Sequence, residues 1–225
     1  MSNNNHNSIN NHTANNSDNT SNTNIKSIGR LFRRLASLGY IQPDDIPSID
    51  LYMDQVTTFM DENLKTSKRY DSDKILTKTM INNYAKNNLL PPPVKKKYSK
   101  DHMILLIFIY YLKNILSIND IQELLDPISS EYFHGKGEIP LTDIYLEIMN
   151  YLKQEQNELF QYVKHKFHTS EKLFSDPSLD LSEQQREELR KFSFICFLAF
   201  DVYLKKLMIE TLIDDSKENR SSDKT

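Results

Sequence analysis

"KILTKTMINNYAKNNLLPPPVKKKYSK", residues 74–100, decides how this chain is read. It contains seven lysines and no acidic residue, in a protein whose formal net charge is −3. Thr77 stands where a side-chain oxygen can cap a following helix, and Met80, Ile81 and Tyr84 fall on one face of that helix. Pro91, Pro92 and Pro93 end it, since none has an N–H and each restricts the residue before it. Lys95, Lys96 and Lys97 then lead to Ser99, which opens a helix holding the apolar run "MILLIFIYYL", 103–112.

Outward from this stretch the pattern is helical throughout. In "LSINDIQELLD", 116–126, Ser117 and Asp120 have the spacing of a capping box. Ile118, Ile121, Leu124 and Leu125 form its apolar face, and Pro127 is expected to stop it. Upstream, "LYMDQVTTFMDENL", 51–64, reads as a helix capped by Ser48 or Asp50, and "KTSKRYDSDK" as a polar connection. Residues 26–38 read as a basic amphipathic helix with Ile28, Leu31, Phe32, Leu35 and Leu38 on its apolar side and Gly39 as C-terminal cap. Downstream, Thr142 to about Phe167 repeats apolar residues at helical spacing, and a capping box at Ser182–Gln185 opens a helix to about Leu212. The charged last dozen residues are expected to fray. Strand pairing is expected only in short pieces around Val94–Tyr98.

The expected organisation has six parts: a disordered Asn-rich tail, 1–24, a basic helix and loop, 25–47, a head, 48–127, a linker, 128–140, a helical dimerisation or effector region, 141–213, and a flexible tail, 214–225. Eleven of the first 24 residues are Asn, and such a segment buries too little to offset its ordering entropy. In the helical region Tyr145, Tyr151, Phe160 and Tyr162 are candidates to line an effector pocket.

Composition excludes several classes. Four glycines disfavour turn-rich all-β folds and phosphate-cradling loops. The single Cys196, in "FSFICFLAF", 192–200, cannot form an internal disulfide or a multi-cysteine zinc site, and is read as a small buried hydrophobe. Neither apolar run reaches the ~18 residues that a membrane span needs, so both are expected to be buried helices. With no signal-like N-terminus, the expectation is a cytoplasmic protein without membrane association. His165 and His168 lack companions at metal-ligand spacing, so no metal is expected. No catalytic motif is present, and neither an enzyme nor a cofactor is expected.

The order of elements around residues 74–100 resembles the DNA-binding head of MerR-type regulators. In that family a short recognition helix ends in a Leu-Leu-Pro turn. A basic wing follows, a Tyr-Ser pair starts the next helix, and a Ser-capped helix ends in Leu-Leu. Thr77 matches the capping serine, Asn82 falls where arginine is usual, and Asn83 and Tyr84 fall on two tyrosines. Leu89, Leu90, Pro91 and Pro92 match the turn, Tyr98 and Ser99 the pair, and Ser117 to Leu125 the closing helix. The resemblance covers about residues 50–126. In detail the chain is similar to an uncharacterised family of low-GC Gram-positive bacteria, known as a domain of unknown function and regarded as MerR-like. It departs from the MerR pattern in the longer connection "KTSKRYDSDKIL", in the short "PPPVKKK" where a Gly-containing wing is usual, and in lacking a clean heptad coiled coil.

The expected fold is therefore mainly α, with a MerR-like winged helix-turn-helix head and a C-terminal helical region. The expected function is sequence-specific binding of double-stranded DNA in transcription regulation, as a homodimer. A helix N-terminus in the major groove would present Lys78, Thr79, Asn82 and Asn83 to base edges. Lys86, Lys95, Lys96, Lys97 and Lys100 suit the phosphate backbone, and Tyr84 and Tyr98 can offer hydroxyls to phosphate oxygens. Against this stand a Tyr84 packed in the core and lysines that are merely solvated. Two alternatives stay open: a helical module that binds another protein without specific DNA binding, and RNA binding.

Overall fold

The computed structural model describes residues 29–37 and 39–222. The Asn-rich segment, Ile28 and Leu38 lie outside the described residues. The chain divides into two units at Gly39 and Tyr40. In the first, a helix α1 covers 29–36, with Leu31, Phe32 and Leu35 half-buried and Arg30, Arg33 and Arg34 exposed.

The second unit is mainly helical. Its elements in order are β1 (Leu51–Tyr52), α2 (Met53–Leu64), α3 (Lys78–Lys86), β2 (Lys97–Tyr98), α4 (Lys100–Leu112), α5 (Ile118–Tyr132), α6 (Leu141–Glu171) and α7 (Glu183–Ser222). α4 is the centre. Met103 through Ile107, Ile109 and Tyr110 are all buried. Val56, Met60 and Leu64 of α2, Ile81 of α3, Ile121 and Leu125 of α5, and Tyr145 and Met149 of α6 belong to the same core. Each such aliphatic side chain contributes about 1.5–3 kcal/mol when fully buried. Polar tips inside the core are satisfied. Tyr145 donates its hydroxyl to Ile41 O at 2.6 Å, and Lys113 Nζ donates to Ile75 O at 2.7 Å.

Local signals set most boundaries. Ser117 and Asp120 form the expected box: Asp120 N–H donates to Ser117 Oγ at 3.2 Å and Ser117 N–H to Asp120 Oδ2 at 3.2 Å. Ser182 and Gln185 do the same at the start of α7.

Four expectations need correction. Leu51 and Tyr52 do not begin α2. They pair antiparallel with Tyr98 and Lys97, so their backbone serves a ladder, and Tyr52 rather than Ser48 or Asp50 becomes the N-cap. Pro127 lies inside α5 rather than ending it. A proline there strips the carbonyl of Glu123, four residues back, of its amide donor. Arg220 of α7 replaces that donor, with Nη2 3.2 Å from Glu123 O and 3.1 Å from Glu123 Oε2. For the same reason α7 does not fray after Leu212 but runs to Ser222, with Lys217 also 3.6 Å from Glu123 Oε1. Finally, Cys196 is exposed rather than buried. α7 packs on α6 along one side, through Phe167 against Phe194 and Lys166 with Asp201 at 2.8 Å, and Cys196 lies off that side.

Residues 128–140 hold the end of α5 and a 3-10 turn, Phe133–Gly135, with Phe133 buried. Among the described residues no helix is long and apolar enough to cross a membrane.

Candidate nucleic-acid interface

α3 is a nine-residue helix whose two ends are locally fixed. Thr77 Oγ1 accepts from Met80 N–H at 3.2 Å, as the sequence predicts. At the other end Asn88 is left-handed, with φ 57°. Leu89 N–H then donates to Tyr84 O at 2.9 Å and Asn88 N–H to Ala85 O at 3.3 Å, which is a Schellman closure. Ile81, Tyr84, Leu89 and Leu90 all point into the core. The opposite face of α3 presents Lys78, Thr79, Asn82, Asn83 and Lys86 to solvent. Lys78 forms an ion pair with Asp54 on the first turn of α2, and both side chains are largely exposed, so the pair holds Lys78 only weakly.

The lysine run forms a tight hairpin. Val94 N–H donates to Lys97 O at 3.1 Å and Lys97 N–H to Val94 O at 2.9 Å, leaving Lys95 and Lys96 as a two-residue loop. Their φ angles are 51° and 65°. Positive φ at both central positions is the type I′ turn, which matches strand twist and which favours Asn-Gly or Gly-Gly. A lysine has a Cβ that meets its own carbonyl in this conformation, at a cost of roughly 1–2 kcal/mol per residue. Both ammonium-bearing side chains are exposed. Lys97 is half-buried, its Nζ 5.2 Å from the centre of the Tyr52 ring. Lys100, also half-buried, opens α4.

The aromatic candidates stand elsewhere. Tyr84 is 7% exposed and Tyr98 is 2% exposed, and burial raises the pKa of both hydroxyls. They support the surface from beneath. Tyr98 packs edge-on against His102, with ring centres 5.4 Å apart.

His102 was not legible as a site residue, although Ser99 and His102 have N-cap and N3 spacing. It is buried. Its Nδ1 accepts from Ser99 N–H at 3.0 Å, and its Nε2 lies 3.4 Å from Pro92 O. One neutral ring, protonated on Nε2, satisfies both contacts. Burial holds its pKa below the usual 6.5, although the Pro92 carbonyl works the other way. His102 thus fastens the proline segment after α3 to the start of α4.

The expected effector aromatics do not gather. Tyr145 is buried with its hydroxyl on Ile41, while Tyr151 and Tyr162 are exposed on α6 and Phe160 is half-buried there. His165 and His168 are exposed. Among the described residues no group of three His, Cys, Asp or Glu side chains is placed to hold a metal ion.

No curated protein and no solved structure matches this chain. The family model described as Domain of unknown function (DUF1836) matches residues 41–148, from the carbonyl that Tyr145 grips to the second turn of α6, and this part of the chain is similar to that uncharacterised family.

Proposed function

We propose that α3 and the Lys95–Lys97 turn form a DNA-reading surface, the head of a MerR-like transcription regulator that acts as a homodimer. The observation that carries this is the turn. Two lysines occupy positions where glycine or asparagine is less strained, and strain of this kind concentrates where function maintains it. Lys95, Lys96 and Lys86 meet phosphates. The exposed Asn82 and Asn83, with Thr79 and Lys78, face base edges in the major groove, where Asn pairs bidentately with adenine. Tyr84, Tyr98 and His102 hold that geometry rather than touching the duplex. A capped helix, a tight hairpin and a Ser-capped closing helix in this order follow the plan of a winged helix with a minimal wing.

The dimer rests on α7. Phe192, Cys196, Phe200, Tyr203 and Leu207 recur at spacings of three and four and are exposed. An apolar stripe of this length on a helix marks an interaction surface, and a two-fold protein suits a two-fold operator. The same stripe also favours the second reading, a module that binds a different protein.

The test is selection of duplexes from a random pool by the purified protein, then affinity against salt on the enriched sequence. An enriched palindrome whose affinity falls steeply with salt supports the proposal. Absence of enrichment, with weak and equal binding to every duplex, would reject it in favour of the interaction module.

A further inference from the structure

Four helices enclose an apolar groove that the α3 surface does not use. α4, α5, α6 and α7 surround a cavity of about 750 Å³, with Phe108, Leu125, Met149 and Ile213 in its walls. Such a volume lies within the roughly 300–1,000 Å³ of small-molecule pockets, which pair an apolar body with a few convergent polar groups. Besides Tyr40 and Tyr111, the lining residues with polar groups are Glu123, Ser216 and Arg220. They share one end: Arg220 Nη2 is 3.1 Å from Glu123 Oε2, and Ser216 stands one turn before Arg220 on α7.

This groove is not the α7 stripe seen from another side. Its α7 residues are Ile209, Leu212, Ile213, Ser216 and Arg220, a face that none of the stripe residues shares. Ile209 comes two residues after Leu207, about 200° around the helix axis. A second copy seated on Phe200, Tyr203 and Leu207 therefore leaves the groove accessible.

We propose that the groove binds a small aliphatic amphiphile bearing a carboxylate. The chain lies against Phe108, Leu125, Met149 and Ile213, and the carboxylate lies on the Arg220 guanidinium. Among the described residues Arg220 bonds to Glu123 through Nη2 alone, and the fork of a guanidinium matches a carboxylate on its other edge. The site is independent of the reading of α3.

Calorimetric titration of the full chain with decanoate, and with 1-decanol as the neutral arm, tests it. Decanoate should bind saturably, one per chain, with a negative heat-capacity change. Ile148→Trp and, separately, Leu152→Trp fill the groove from half-open positions on α6 and should abolish binding with the helical circular-dichroism signal unchanged. Arg220→Gln should weaken decanoate at least about tenfold and leave decanol unaffected. Absence of saturable heat overturns the proposal, as does binding that survives both tryptophans. Equal binding of both probes, unmoved by Arg220→Gln, overturns the placement of the carboxylate. If the tryptophans change only the mass of the assembly, the groove belongs to a second copy and the proposal falls. No DNA is needed, so failure here leaves the proposed DNA surface untouched, and failure to enrich a duplex leaves the groove untouched.

Discussion

The apolar run of α4, 103–112, is buried along most of its length, whereas that of α7, 192–200, leaves Phe192, Ile195 and Phe200 more than half exposed. Composition does not separate them. Position does. α4 is covered around its circumference, with Met103 to Ile107 buried in succession; it shares its core with α2 and α3 and contacts β2, α5 and α6. α7 has α6 along one side and α5 near its end. A helix that is apolar all round belongs in an interior, so α7 carries more apolar surface than its own chain covers. The family match divides the molecule in the same way, since residues 41–148 contain α4 and leave out α7.

The largest test of this comparison is truncation in each run. Leu106→Ala should cost about 2–5 kcal/mol in urea unfolding, the usual loss for a fully buried leucine. Phe200→Ala should cost under about 0.5 kcal/mol at protein concentrations where the chain is monomeric. At higher concentration the difference between Phe200→Ala and wild type should grow if the stripe joins two copies, because association stabilises the folded state by mass action. Equal costs at all concentrations would break the comparison.

The joint between α5 and α7 comes next. Arg220→Ala leaves the Glu123 carbonyl without a donor and should destabilise by about 1–3 kcal/mol. Pro127→Ala restores an amide that can bond the same carbonyl. In that background the Arg220→Ala cost should shrink, giving a measurable coupling in a double-mutant cycle. Additive costs would mean that the arginine acts through its ion pair with the Glu123 carboxylate alone.

The hairpin gives a smaller effect with opposite signs in two assays. Lys95→Asn with Lys96→Gly relieves two positive-φ residues and should stabilise the fold by about 1 kcal/mol. The same pair of changes should weaken binding to every duplex and flatten its salt dependence. Asn82→Ala, on the exposed face of α3, should instead reduce discrimination between sequences. A stabilised double variant with undiminished DNA affinity would separate the strain from the proposed function.

What could be read from the sequence was local. Thr77, Ser117 and Ser182 cap the helices they were expected to cap, because a cap depends on residues three apart. The burial of 103–112 was legible because its density of apolar residues leaves no polar face. What was missed depends on distant partners. Pro127 is tolerated because Arg220, far along the chain, reaches its orphaned carbonyl. Leu51 and Tyr52 become a strand because Lys97 and Tyr98 lie beside them. Cys196 is exposed because of where α7 packs, which no neighbour in sequence records. In the candidate site, the exposed Lys78, Asn82, Asn83 and Lys86 follow from the helix period, but the Lys95–Lys96 turn and the core positions of Tyr84 and Tyr98 required the fold.

The smallest effect concerns His102, the buried link between the proline segment and α4. Its folded pKa lies below the usual 6.5, chiefly through burial, with His134 adding to the depression and the Pro92 carbonyl and Asp101 opposing it. Below pH 6.5 the unfolded chain therefore binds a proton that the folded chain resists. Stability must rise with pH across that window and fall as the pH drops through it. Gln at this position can accept from Ser99 N–H in the same capping geometry and does not titrate. Urea midpoints between pH 7.5 and pH 5.5 should then fall further for wild type than for His102→Gln. Parallel curves would mean that protonated His102 is accommodated in the fold, and that carboxylates elsewhere set the acid sensitivity. Because His102 contacts Pro92 and Tyr98, which flank the turn that carries Lys95 and Lys96, a real difference would also tie the two ends of that segment to the same proton.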